Sequence, residues 1–121
     1  MSNDMSRVLI VDDDVDVCET LRRILGHVGI DNRISVTAAS ASAEADKYDP
    51  HAAIIDFVLP DTDGITLTQS IRSRHPDIKV VMISGVLELE AEVGQLARAA
   101  GVNTLVQKPF RASEIIDALG L

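Results

Sequence analysis

Residues 54–64 read Ile54-Ile55-Asp56-Phe57-Val58-Leu59-Pro60-Asp61-Thr62-Asp63-Gly64. An apolar, strand-like run delivers one carboxylate, Asp56. Pro60 then stops the strand, because it lacks an amide hydrogen and biases the preceding residue towards extended geometry. Asp61, Asp63 and Gly64 make a turn, and Gly64 is free to adopt positive φ. The rest of the chain reads as a way of placing groups around Asp56.

Outward from this stretch, strands and helices alternate. Val8–Val11 is a short buried strand. Val17, Leu21, Ile24, Leu25 and Val28 mark one helix face, with Asp14 or Asp16 at its start and Gly26 and Gly29 around its end. Arg33–Thr37 reads as a weaker second strand. Ala38–Tyr48 reads as a helix with an alanine face, which buries little area and is loosely held. Ala52–Val58 is the third strand and Ile65–Arg74 the third helix, ended by His75-Pro76. Lys79–Ile83 is the fourth strand, ending at Ser84-Gly85. Leu89, Val93, Leu96, Ala97 and Ala100 repeat the helical stripe. Thr104–Gln107 is the fifth strand, and Arg111–Leu119 the last helix, anchored by Ile115, Ile116 and Leu119.

Five strand–helix repeats with short connections imply an α/β fold, a parallel sheet covered by helices on both faces. In such sheets ligands gather beyond the carboxyl ends of the strands. Asp12 and Asp13 end the first strand, Asp56 the third, Ser84 the fourth and Lys108 the fifth. The notable polar residues therefore share one edge.

Three carboxylates converge there. Two charges about 4 Å apart repel by about 4 kcal/mol at an effective dielectric near 20. A hard divalent cation compensates, and few protein ligands with retained waters point to magnesium over calcium. Lys108 supplies a fixed positive charge, Ser84 a hydroxyl, and Gly85 a backbone amide open to close approach. This set suits a phosphoryl group on Asp56, with the carboxylate as nucleophile and the cations neutralising the transferred oxygens. No histidine falls near this edge.

Composition bounds the rest. The chain has 121 residues, 46% hydrophobic, with a net charge of −8. That suits one globular domain, with residues 1–6 a polar leader and the domain over 7–121. The acidic balance argues against direct nucleic-acid binding and favours basic partners or cations. No run approaches the roughly 20 apolar residues that span a membrane, and no signal peptide is evident, so the cytoplasm is the expected location. Cys18, the one cysteine, reads as a buried core residue. His27, His51 and His75 read as surface residues, and Asp61 and Asp63 as turn formers. Glu88, Glu90 and Glu92 read as a solvated helix face, and Leu87 and Leu105 as core or partner contacts.

The chain resembles the receiver domain of two-component response regulators over nearly its whole length. Val11-Asp12-Asp13 is similar to that family's acidic pair, and Asp56–Gly64 to its phosphoacceptor segment. Ser84-Gly85 is similar to its switch hydroxyl with a following small residue, and Lys108-Pro109-Phe110 to its lysine-proline signature. The resemblance implies a flavodoxin-like three-layer sandwich with strand order 2-1-3-4-5. It implies phosphoryl transfer to Asp56 from a histidine kinase or histidine phosphotransfer protein. It implies Mg2+ held by Asp13, Asp56 and the Val58 carbonyl, with Asp12 acting through water. Ser84, Gly85 and Lys108 would contact the phosphate, with Pro109 following Lys108 across a cis bond. Phosphorylation would reshape the face made by the fourth helix, fifth strand and fifth helix, through which the family binds partners or dimerises. On this reading the domain catalyses only its own phosphorylation and dephosphorylation.

Three positions depart from the family. Leu105 stands where a switch Tyr or Phe is usual. Val58 and Val86, two residues after Asp56 and Ser84, stand where polar residues often set the rate of phosphate loss. Two valines cannot orient an attacking water, so self-dephosphorylation is expected to be slow. Two other functions are weighed beside this one. Asp61-Thr62-Asp63-Gly64-Ile65 is similar to the nucleophile motif of haloacid-dehalogenase-type phosphatases, although Pro60 separates it from the strand. The other is a receiver-like module working through fixed contacts without phosphate.

Overall fold

The computed structural model describes residues 7–85 and 92–120. Residues 1–6, Val86, Leu87, Glu88, Leu89, Glu90, Ala91 and Leu121 lie outside them. Ten elements alternate in chain order: β1 Arg7–Val11, α1 Val15–His27, β2 Asp31–Ser35, α2 Ala38–Tyr48, β3 Ala52–Asp56, α3 Gly64–Arg74, β4 Lys79–Ser84, α4 Glu92–Ala100, β5 Thr104–Gln107 and α5 Ala112–Leu119. The five strands are parallel in the order β2-β1-β3-β4-β5. The chain reverses direction across the sheet between β1 and β3, which opens a crevice above their carboxyl ends.

Strand side chains alternate between two cores. Leu9, Val11, Ala53, Ile55, Val80 and Met82 pack against α2, α3 and α4 through Ala41, Ala45, Leu67, Ile71 and Ala97. Val8, Ile10, Ile54, Val81, Ile83 and Val106 pack against α1 and α5 through Cys18, Leu21, Leu25, Ile115 and Leu119. Because both faces are covered, β3 is buried along its whole length and carries Asp56 on a rigid support.

Several boundaries differ from the sequence reading. β2 runs Asp31–Ser35, two residues earlier than expected, in register with Arg7–Val11. Thr37 is not in the strand, because it caps α2 and accepts from the Ser40 amide. β3 ends at Asp56, and Val58 instead bridges to Asp63 across the turn. Asp14, not Asp16, caps α1, accepting from the Asp16 and Val17 amides. In α4 the buried residues are Gly94, Ala97 and Ala100, so Leu96 faces outward. The buried face of α4 is thus made of small residues, with Ala97 packed into the core beside Leu67 and Ile71 of α3. In α5, Ile115 and Leu119 are buried while Ile116 is half-exposed. Val28 lies past the end of α1 and is exposed.

Gly64 opens α3 and has no positive φ. A Cβ there would lie 2.5 Å from the Asp56 carbonyl oxygen. Close backbone approach, not turn geometry, is what demands glycine.

Candidate functional site

Parallel pairing brings the ends of β1, β3, β4 and β5 to one edge. Asp12 follows β1, and its amide extends the ladder by donating to Ser35 O at 3.1 Å. Its side chain is buried, and Oδ1 accepts from the Asp14 amide at 2.9 Å. Asp13 is exposed at the rim. Asp56 ends β3 with 8% of its surface exposed. One carboxylate oxygen from each of Asp12, Asp13 and Asp56 lies within 4.8 Å of the other two.

Lys108 reaches into this cluster from the end of β5. Its Nζ lies 3.3 Å from Asp12 Oδ2 and 3.4 Å from Asp56 Oδ2. The Lys108 amide donates to Ser84 O at 2.8 Å, which ties the lysine to the end of β4. Ser84 is buried there, and the Lys108–Pro109 peptide is cis. At Gly85 a Cβ would meet nothing nearer than Lys108 Cδ at 3.9 Å, so packing alone does not require glycine. A groove of about 450 Å3 runs beside Lys108, lined by Asp16, Val17, Thr20, Gly85, Pro109 and Phe110.

The electrostatics follow from burial. Desolvation pushes the Asp56 carboxyl up from 3.8 to about 6, and the Asp12 charge adds to the rise. Lys108 and the Val58 amide pull in the opposite direction. Burial alone would lower the Lys108 pKa, yet Asp12 and Asp56 together leave it raised. Asp56 is therefore mostly ionised at pH 7, at a cost. Asp12 Oδ2 is buried and has no well-aligned hydrogen bond, its approach to Lys108 being a charge contact. Among the described residues three carboxylates face one ammonium at this site. The donor set is all oxygen, which suits a hard divalent cation.

The residues read as a site from sequence divide cleanly. Asp12, Asp13, Asp56 and Lys108 meet, with Ser84 and Gly85 beside them. Val58 belongs to the adjoining loop, and its side chain is 59% exposed. Leu105 lies away from the site on the outer strand, 37% exposed, so it is not a core residue.

Asp61 and Asp63 do not join the cluster. Asp63 caps α3, accepting from the Thr66 amide at 2.8 Å. Asp61 accepts from the Ala38 and Ala39 amides of α2 at 2.9 and 3.0 Å. Both carboxylates of the phosphatase-like motif are thus engaged with helix termini. Sequence reasoning missed the Asp61 contact, since its partners stand more than twenty positions away. The one local signal was that α2 has no acidic residue in its first turn. His75 is also more than a surface residue, because Nε2 lies 2.8 Å from Asp46 Oδ1, which Arg74 contacts as well. Cys18 is buried as expected, and burial followed by the nearby Asp12 charge pushes its thiol up to about 11. Among the described residues no helix is long and apolar enough to cross a membrane.

The chain is 32% identical over 110 residues to the transcriptional regulatory protein PrrA of Mycobacterium tuberculosis, covering 91% of this chain and 46% of that one. It is 33% identical over 110 residues to the transcriptional regulatory protein CssR of Bacillus subtilis, covering 90% and 47%. It thus spans about half the length of these curated relatives. Among solved structures, the receiver domain of NtrX from Brucella abortus matches with a TM-score of 0.83 at 34% identity, covering 93% of this chain and 98% of that one. A CheY-like receiver domain protein from Methanospirillum hungatei matches with a TM-score of 0.87 at 28% identity, covering 95% and 90%. The family model for the response regulator receiver domain matches residues 8–120. A match of that extent, on a sheet ordered 2-1-3-4-5, makes this chain a member of the response regulator receiver domain family.

Proposed function

We propose that residues 7–121 form a phosphorylation-controlled signalling module whose acceptor is Asp56. The observation that carries this reading is the meeting of Asp12, Asp13, Asp56 and Lys108 at the carboxyl ends of three strands. An ionised Asp56 oxygen attacks the phosphorus of a phosphohistidine. A P–O bond forms, the P–N bond breaks, and the leaving imidazole keeps the electron pair and takes up a proton. The donor is a histidine kinase or histidine phosphotransfer protein.

Asp13, Asp56 and the Val58 carbonyl would hold Mg2+, with Asp12 supporting it. Asp12 Oδ2, buried and in charge contact with Lys108 but without a well-aligned hydrogen bond, fits that role. When bound, the ion supplies positive charge to the transferred oxygens. Lys108 neutralises part of the same charge and orients the acceptor. Ser84 and the Gly85 amide donate to the bound phosphoryl group, while Pro109 shapes the loop after Lys108.

Phosphorylation adds up to about two negative charges at Asp56. Attraction of Ser84 towards them biases α4, β5 and α5 towards one packing. Leu96 and Leu105 are exposed on these elements and suit a partner or a second copy of the chain. The module acts in the cytoplasm, turns over no external substrate, and itself binds neither nucleic acid nor membrane.

The test is beryllofluoride with Mg2+, which together mimic the phosphorylated state, read by fluorine NMR and light scattering. A bound resonance that requires Mg2+ and Asp56, with a change in size or in partner binding, supports the reading. A fixed-contact module gives no bound resonance.

A further inference from the structure

The loop between β3 and α3 carries two carboxylates that leave in opposite directions. Asp63 stays local, capping α3 through the Thr66 amide and hydroxyl. Asp61 crosses to α2, its two oxygens taking the Ala38 and Ala39 amides separately. The first four amides of a helix lack partners within it. In α2 the Ser40 amide is met by the Thr37 hydroxyl, and Ala41 makes the first regular helical bond, to the Thr37 carbonyl. Two of the first three helical amides are therefore satisfied by a residue from the phosphoacceptor loop. These two amides hold the Asp61 carboxyl below the usual range.

Between its ends the loop is a tight hairpin. Val58 bridges to Asp63, the Leu59 amide donates to Thr62 O at 3.1 Å, and the Gly64 amide donates to Phe57 O at 2.7 Å. Such a unit moves as one body. Leu59, buried in the core, and the Phe57 amide, donating to Ile83 O at 2.8 Å, hold its base on the sheet, and Asp61 adds an anchor for its tip on a different helix.

We infer that Asp61 is a positioning residue for the metal site, clamping the loop that carries Val58 against the N-terminus of α2. This rests on the phosphoacceptor reading above, in which the Val58 carbonyl is a metal ligand. Partners that orient ligands commonly account for 10–100-fold in metal affinity. By linkage, an ion that needs the loop in place must in turn favour the α2 contact.

The test is Mg2+ binding by calorimetry with the full chain, comparing Asp61→Ala, Asp61→Asn and Thr37→Ala. Thr37→Ala removes a cap from the same helix end without touching the loop, so it isolates the cost of weakening α2. Asp61→Ala is expected to raise the Mg2+ dissociation constant about tenfold, with Asp61→Asn, able to accept one of the two bonds, in between. Thr37→Ala should change it by less than about twofold on the same scale. Hydrogen exchange of the Ala38 and Ala39 amides should slow on adding Mg2+ to the wild type. If Asp61→Ala and Thr37→Ala weaken Mg2+ equally, or if the two amides ignore the ion, the positioning role is overturned and the phosphoacceptor reading stands. A wild-type chain that binds no Mg2+ overturns both.

Discussion

Replacing Asp56 by asparagine should stabilise the metal-free domain at pH 7, although Asp56 lies at the centre of the site. Burial first, and the Asp12 charge second, raise its carboxyl from 3.8 to about 6. A folded-state pKa above the unfolded one means that the folded state prefers the protonated acid. The resulting stability is fully present below about 3.8 and is lost as the pH rises through about 6. At pH 7 the ionised group therefore costs the fold about 3 kcal/mol at most, at about 1.4 kcal/mol per pKa unit. Asparagine keeps the volume and drops the charge but loses the Lys108 contact at 3.4 Å. A net gain of about 2 kcal/mol is expected, which is about 8 °C in Tm for a domain of this size. Thermal unfolding in a chelator at pH 7 and pH 4.5 measures it. The gain should shrink towards the lower pH, where wild-type Asp56 is protonated. Saturating Mg2+ should then raise the wild type and leave the variant nearly unmoved. An asparagine variant no more stable than wild type at pH 7, or a gain independent of pH, would refute the account of strained charge.

Further consequences follow from the same geometry. Mg2+ and a proton compete for Asp56, so the Mg2+ dissociation constant should be flat above pH 7 and rise about tenfold per unit well below the raised pKa of about 6, as titration calorimetry across pH would show. Gly64→Ala puts a Cβ 2.5 Å from the Asp56 carbonyl oxygen, and should cost about 1–3 kcal/mol in denaturant unfolding while weakening Mg2+ binding. Val58→Asn should shorten the phosphoaspartate lifetime, because the exposed valine beside Asp56 cannot orient water, and an unchanged lifetime removes that explanation.

Burial explains which parts of the fold were legible in the sequence. Strands covered on both faces must be apolar throughout, so Val8–Val11, Ala52–Ile55 and Val80–Ile83 announced themselves, and each handed its next polar residues to the same edge. The edge strand β2 did not, since Asp31 and Asn32 need only backbone pairing on one side. Leu96 misled for a related reason: periodicity rewards large apolar residues, whereas α4 buries the small Gly94, Ala97 and Ala100. Asp12, Asp13, Asp56 and Lys108 were readable because strand ends fix their height above the sheet. Gly64 was assigned for the wrong reason, since a close approach between two backbones cannot be seen in a chain of letters. Asp61 was underread because α2 lies far away in sequence, and local propensity contains no term for a remote cap.

The central claim is that Asp56 takes a phosphoryl group in a reaction needing both the acidic cluster and a divalent cation. The most direct measurement is peptide-resolved mass after incubation with acetyl phosphate, with Mg2+ or with chelator. The account predicts the mass of one PO3 group on the peptide containing Asp56, present only with Mg2+ and absent from Asp56→Asn. Modification elsewhere in the chain, or modification of Asp56 undiminished by chelation, would contradict it.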